Sequence, residues 1–187
     1  NQQQEGNEMI PRQPVEASCK TDIGQVRQQN EDVCAINKEH HYYLVADGMG
    51  GAAKGDLAAR FFLESVEETL PIQLIPASPT LKERFYACFE DSDVELETAE
   101  EKILSSVKDQ VYNCFARANE RIQEHIQKVP QHAGMGCTGE LLTFYGNHYI
   151  VGHVGDSRSY LLKADSSLRQ LTKDHSLVQD QIDRGNI

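Results

Sequence analysis

Tyr42-Tyr43-Leu44-Val45-Ala46-Asp47-Gly48-Met49-Gly50-Gly51 is an apolar run that ends in an acidic residue and a glycine-rich turn, and a helical period begins at Ala52. An apolar strand holds Asp47 at a sheet end, while the glycines let the backbone bend so that carbonyls or amides face a ligand beside the carboxylate. A held carboxylate next to an exposed carbonyl suits a hard divalent cation. Upstream, Val33 to Asn37 reads as a strand joined to Tyr42 through the polar Lys38-Glu39-His40 turn, and Val15 to Thr21 reads as another strand. Arg27-Gln28-Gln29-Asn30-Glu31-Asp32 falls between them, at a strand end or in a loop.

Downstream, Leu57, Ala58, Phe61, Phe62, Val66 and Leu70 keep a helical period from Ala52 to Leu70, with Pro71 just beyond. Pro71, Pro76 and Pro79 mark a connector, Leu81 to Phe89 reads as a short helix, and Glu90 to Glu101 is strongly acidic. Ile103, Val107, Val111, Phe115, Ala118, Ile122, Ile126 and Val129 then define a long second helix whose apolar stripe needs a sheet to cover. Glu140 to Tyr145 and His148 to Val154 flank Gly146-Asn147, a two-residue hairpin turn. Ser157 to Lys163 and Leu168 to Leu171 form another hairpin, and Ser176 to Arg184 a last helix stopped by Gly185. Strands, two helices, then strands again is the order of helices packed on antiparallel sheets, an α+β chain and not alternating βαβ units.

With 187 residues the chain fits one domain, 15–187 after a polar leader 1–14, and buries roughly 70% of its unfolded surface. The five cysteines, Cys19, Cys34, Cys88, Cys114 and Cys137, are odd in number and lack a C-x-x-C pair, which points to neither a zinc site nor a disulfide framework. A reducing cytoplasm is the expected location. A net charge of -11 opposes binding to nucleic acid or anionic membrane. No apolar run is long enough to span a bilayer, and Asn1-Gln2-Gln3-Gln4-Glu5 is no signal peptide.

The residues alone leave several chemistries open around Asp47. An Asp-Gly pair is a common turn, yet a plain turn needs neither three nearby glycines nor the second acidic pair Glu31-Asp32. Gly48 to Ala53 satisfies a G-x-G-x-x-A phosphate motif, but Asp47 would repel a pyrophosphate there. His153-Val154-Gly155-Asp156-Ser157-Arg158 places another carboxylate between strands, with Arg158 as its structural ion-pair partner. Arg27, if close to Asp47, offers a planar fork for a phosphate. His40 and His41 read as turn residues, His125 lies by the apolar stripe, and no serine or cysteine is spaced as a nucleophile to a histidine.

Asp22-Ile23-Gly24 with Arg27 and Asn30-Glu31-Asp32, the run from Val45 to Gly51, Gly134-Met135-Gly136-Cys137-Thr138, Val154-Gly155-Asp156-Ser157-Arg158 and Leu171-Thr172-Lys173-Asp174-His175-Ser176 occur in one order. Together they resemble the metal-dependent protein serine/threonine phosphatases of type 2C in their bacterial form. The resemblance implies a four-layer α-β-β-α sandwich with two central antiparallel sheets, expected here to be incomplete at the C-terminus. It implies that Asp47 bridges two Mn2+ or Mg2+ ions, that the Gly48 carbonyl binds one of them, and that Asp156 helps hold a third. Glu31 and Asp32 would hold metal-bound waters or orient the site, and Arg27 would bind the substrate phosphate.

The implied activity is hydrolysis of phosphoserine and phosphothreonine in proteins, including targets of a serine/threonine kinase, by metal-activated water. The ions would also offset the acidic composition. Met49 stands where eukaryotic relatives carry a histidine that protonates the leaving group, and Cys137 replaces a threonine. Two further metal aspartates of the family, in Asp-Gly and Asp-Asn contexts, find no match after Asp156. That gap motivates an alternative: an inactive phosphatase-like module that binds a phosphoprotein or regulatory partner.

Overall fold

The structure is a computed structural model that describes residues 15–50, 54–70, 96–145 and 148–187, the side chains of 96–100 excepted. The leader 1–14, Gly51, the connector with its expected helix over Leu81 to Phe89, Cys88 and the Gly146-Asn147 turn lie outside the described residues.

The strands β1 (Val33–Asn37), β2 (Tyr42–Ala46), β5 (Gly139–Tyr145) and β6 (His148–Val154) form an antiparallel sheet in the order β1-β2-β5-β6. Alternation along β2 sorts its residues: Tyr42, Leu44 and Ala46 are buried, while Tyr43 and Val45 face the other way. Register carries this across the sheet, since Leu44 stands between Ala35 of β1 and Leu141 of β5. On the buried side lie two helices, α1 (Gly55–Thr69) and α2 (Leu96–Lys128). Phe62 and Val66 of α1 join Val107, Val111, Cys114 and Ala118 of α2 in one core with Tyr42, Leu44 and Leu141. The stripe read from the sequence is thus the sheet-facing one, widened by Cys114, whose thiol satisfies itself on the Gln110 carbonyl at 3.2 Å.

Two glycines let the helices sit this close. A Cβ at Gly139 would meet the Phe115 and Phe62 rings at 2.8 and 2.9 Å, and one at Gly152 would meet Phe115 at 2.4 Å. Phe62 and Phe115 pack with ring centroids 4.7 Å apart. Across the solvent side of the helix pair, Arg117 donates to Glu68 at 2.7 Å and Arg121 bridges to Glu64 and Glu68.

Two small ladders complete the described part: β3 (Gly48–Met49) with β4 (Gly136–Cys137), and β7 (Tyr160–Leu162) with β8 (Leu168–Gln170). The last helix, α3 (Leu177–Asp183), is capped by Ser176, whose hydroxyl accepts from the Gln179 amide. Gly185 beyond it has φ +68, the left-handed position expected of a helix stop.

One expected element is absent. Val15 to Thr21 contains no regular strand. Instead of extending the ladder beside β1, the segment stays largely exposed, and Ser18 and Cys19 line a small cleft together with Ile36, Tyr43 and Val45.

Candidate metal and phosphate site

Asp47 is the residue between β2 and β3, and its backbone is held from both sides by one distant residue. The Asp47 amide donates to the Thr138 hydroxyl at 2.9 Å, and the Thr138 amide donates back to the Asp47 carbonyl at 2.8 Å. Thr138 in turn shares a hydrogen bond of 2.7 Å with the Ser157 hydroxyl. A Cβ on Gly155, which has φ +106, would lie 2.7 Å from the Thr138 methyl. The three segments around Asp47, Thr138 and Gly155 therefore lock together.

Gly48 is needed for close approach. Its amide donates to the Glu31 carbonyl at 3.2 Å, and a Cβ there would sit 2.4 Å from both the Glu31 and Gly55 carbonyl oxygens. Gly55 is pressed as tightly from its own side, where a Cβ would meet Gly48 and Met49 backbone atoms at 2.7 Å. The start of α1, the Asp47 turn and the Glu31-Asp32 segment thereby converge. Gly50, with φ +134, turns the chain out of β3.

A cleft of about 720 Å3 opens over this junction, lined by Arg27, Glu31, Asp47, Gly48, Lys54 and Asp156 among others. Burial first, then the neighbouring Asp32 carboxylate, raises the Asp47 carboxyl above the usual carboxylate range; Asp156 adds to the rise and Arg27 opposes it. Arg27 is 67% exposed and donates to the buried Glu31 carboxylate at 3.2 Å. Five of the six site residues expected from the sequence, Arg27, Glu31, Asp47, Gly48 and Asp156, line this one cleft, and the charge of the sixth, Asp32, acts on the Asp47 carboxyl.

Two lining residues were not singled out for the site. Lys54, inside the helical period that starts at Ala52, instead precedes the helix with φ +74 and brings a second cation to the cleft. Thr138 was visible only as part of a motif, and nothing in its spacing shows that it anchors a residue 91 positions away.

Arg158 has a structural role with another partner than expected. It makes two bonds of 2.7 Å to Asp174, not to Asp156, and leaves the Asp156 carboxylate to the cleft. The histidines hold local structure: His153 bonds Glu140 at 2.6 Å and the Lys173 carbonyl at 2.8 Å, and His175 accepts from the Gly155 amide. Ser159 donates to the other Glu140 oxygen at 2.7 Å. Glutamate thus stands between serine and histidine, an order that cannot activate the hydroxyl through the imidazole.

Residues 16–181 match the family described as Protein phosphatase 2C. The chain belongs to this family. It is 31% identical over 176 residues to the serine/threonine phosphatase stp of Listeria welshimeri, covering 92% of this chain and 60% of that protein. It is 29% identical over 170 residues to the serine/threonine protein phosphatase PstP of Mycobacterium tuberculosis, covering 91% of this chain and 27% of that one. The crystal structure of the mycobacterial PstP superposes with a TM-score of 0.68 at 27% identity, over 90% of this chain and 58% of that chain. A structure of the PstP catalytic domain in complex with two manganese ions gives 0.65 at 28% identity, over 90% and 59%. The chain thus spans at most about 60% of the length of these relatives, and its α+β sheets and helices are those of the phosphatase 2C fold. Among the described residues no helix is long and apolar enough to cross a membrane.

The donor set fits a hard divalent cation in kind. Asp47, Asp32 and Asp156 are oxygen donors whose mutual repulsion a cation would relieve, as the raised Asp47 carboxyl records. In number the set is partial: among the described residues no three His, Cys, Asp or Glu side chains converge closely enough to hold an ion.

Proposed function

We propose that the cleft takes part in metal-dependent hydrolysis of phosphoserine and phosphothreonine in proteins. The observation that carries this reading is Asp47 itself, clamped through both backbone groups by Thr138 and facing two carboxylates and an arginine across one cleft. Asp47, the Gly48 carbonyl and Asp156 would hold Mn2+ or Mg2+, which would supply a water of lowered pKa as nucleophile. Two ions are the stoichiometry expected from the family, with Asp156 available to a third.

The chain's own residues do the rest. Arg27 offers its fork to the substrate phosphate, and the buried Glu31 orients the guanidinium from behind. Asp32 crowds Asp47 and sustains its demand for a cation. Lys54 adds positive charge where negative charge gathers on the phosphoryl oxygens. Met49, 55% exposed at the cleft, has no proton to give, so protonation of the leaving group falls to solvent.

A second reading, a phosphoprotein-binding module without catalysis, is favoured by the partial ligand set among the described residues. One experiment separates the two. With an aryl phosphate substrate, hydrolysis is expected only in Mn2+ or Mg2+, and Asp47→Asn is expected to slow it about a thousandfold, on the order of 4 kcal/mol of barrier. An unchanged metal-dependent rate in that variant would overturn the assignment. Calorimetric binding of Mn2+ without turnover would support the binding module.

A further inference from the structure

We propose that His175 is a positioning residue that fixes Asp156 at the cleft and thereby sets the affinity of the metal ion held there. This role rests on the reading of Asp156 as a ligand of Mn2+ or Mg2+. Gly155, the residue before it, is gripped through both of its backbone groups by this one histidine. The His175 amide donates to the Gly155 carbonyl at 2.7 Å, and the Gly155 amide donates to His175 Nδ1 at 3.3 Å. Thr138 holds the backbone of Asp47 in the same two-point manner. Asp47 and Asp156 thus each have a distant residue that fixes peptide groups at or beside them.

The grip restricts Gly155 further. Its φ of +106 lies in the region that favours glycine, and a Cβ there would meet the Thr138 methyl at 2.7 Å, so Thr138 packs against its α-carbon while His175 holds its peptide groups. The segment after β8 continues the tie beyond Asp156. The Leu171 amide donates to the Ser159 carbonyl at 2.8 Å, the Ser159 amide to the Thr172 hydroxyl at 3.0 Å, and Arg158 to Asp174 through two bonds of 2.7 Å. Asp156 stands between these ties and lines the cleft.

The His175 ring is itself held. It packs on the His153 ring with centroids 4.6 Å apart. His153 is anchored by the buried Glu140 of β5 at 2.6 Å and by the Lys173 carbonyl at 2.8 Å. A line of contacts therefore runs from the sheet through His153 and His175 to the peptide before Asp156. An accepting Nδ1 carries no proton, so a side-chain oxygen at the same point can fill its role. A carboxylate whose backbone is already fixed loses less freedom on taking an ion, and residues that orient metal ligands from behind act through that saving.

The test titrates the full chain with Mn2+ and follows the paramagnetic resonance of the free ion, for the parent, Asp156→Asn, His175→Asn and His175→Gln. The Asn oxygen reaches the place of Nδ1, whereas the Gln oxygen reaches that of Nε2 and misses the Gly155 amide. Asp156→Asn should weaken or remove one Mn2+ equivalent. His175→Gln should weaken the same equivalent about tenfold, and His175→Asn should stay within about twofold of the parent. Added to Asp156→Asn, His175→Gln should change Mn2+ binding no further, a coupling that a general loss of stability does not produce. Parent-like binding in His175→Gln beside a weakened Asp156→Asn would overturn the positioning role alone, as would equal weakening in both His175 variants. Parent-like binding in Asp156→Asn, or a parent that binds no Mn2+, would remove Asp156 as a ligand and the positioning role with it.

Discussion

The two faces of the four-stranded sheet are made from alternate residues of the same strands, yet they are held by different forces. Toward the helices, Leu44, Ala46 and Leu141 are at most 2% exposed and touch Phe62 and Val66 in a continuous apolar layer. Away from the helices, Val45 is 49% and Tyr149 44% exposed, and order comes from the polar chain Ser159, Glu140, His153 and the Lys173 carbonyl. The covered face derives its stability from area removed from water, which tolerates no lost volume. The other face derives its order from a few directional bonds that fail only when a partner is removed.

Adjacent residues of β2 give the strongest test of that contrast. Leu44→Ala should cost about 2–5 kcal/mol, whereas Val45→Ala, one residue on, should cost about 0.5 kcal/mol or less. Urea unfolding measures both, and equal losses would erase the distinction between the faces.

Glu140→Gln comes next in size. It keeps the shape but removes the charge between His153 and Ser159, at an expected cost of about 1–3 kcal/mol. Chemical denaturation reads the cost, and ring resonances of His153 report whether its bond survives. A neutral outcome would mean that apolar contact holds this face too.

The smallest effect is at the Arg158 and Asp174 pair, which secures the segment after β8 to the segment after β6. Arg158 holds the Asp174 carboxyl below its ordinary range. A lowered folded value means that the stabilisation is present above the unfolded pKa, about 3.9, and is lost as pH falls through the lower folded value. Thermal midpoints followed from pH 5 downward should therefore drop less steeply in Asp174→Asn than in the parent. Identical acid limbs would show that the pair contributes nothing measurable.

Much of the fold was legible because it rests on local periods. The alternation of Tyr42 to Ala46, the stripe from Ile103 to Ile126 and the paired strands around residues 146–147 all appear where apolar spacing places them. Val15 to Thr21 forms no strand because apolar and polar residues in alternation supply no backbone partner by themselves, and most of this segment stays exposed. At the site, residue types with plain chemistry, Asp47, Glu31, Asp32, Asp156 and Arg27, could be named in advance. Lys54 escaped because a helical period hid its left-handed backbone, and the partner of Arg158 escaped because two aspartates lie within its reach in sequence terms.

The sequence by itself determined which residues have a buried side, which turns need glycine, and which ordered motifs announce a phosphatase 2C chain, since these follow from local spacing and residue chemistry. Only the tertiary structure decided that Thr138 clamps Asp47 and that Gly48 and Gly55 meet backbone to backbone. Those contacts join segments by the packing of a sheet against helices. No period or motif within a single stretch encodes such a meeting.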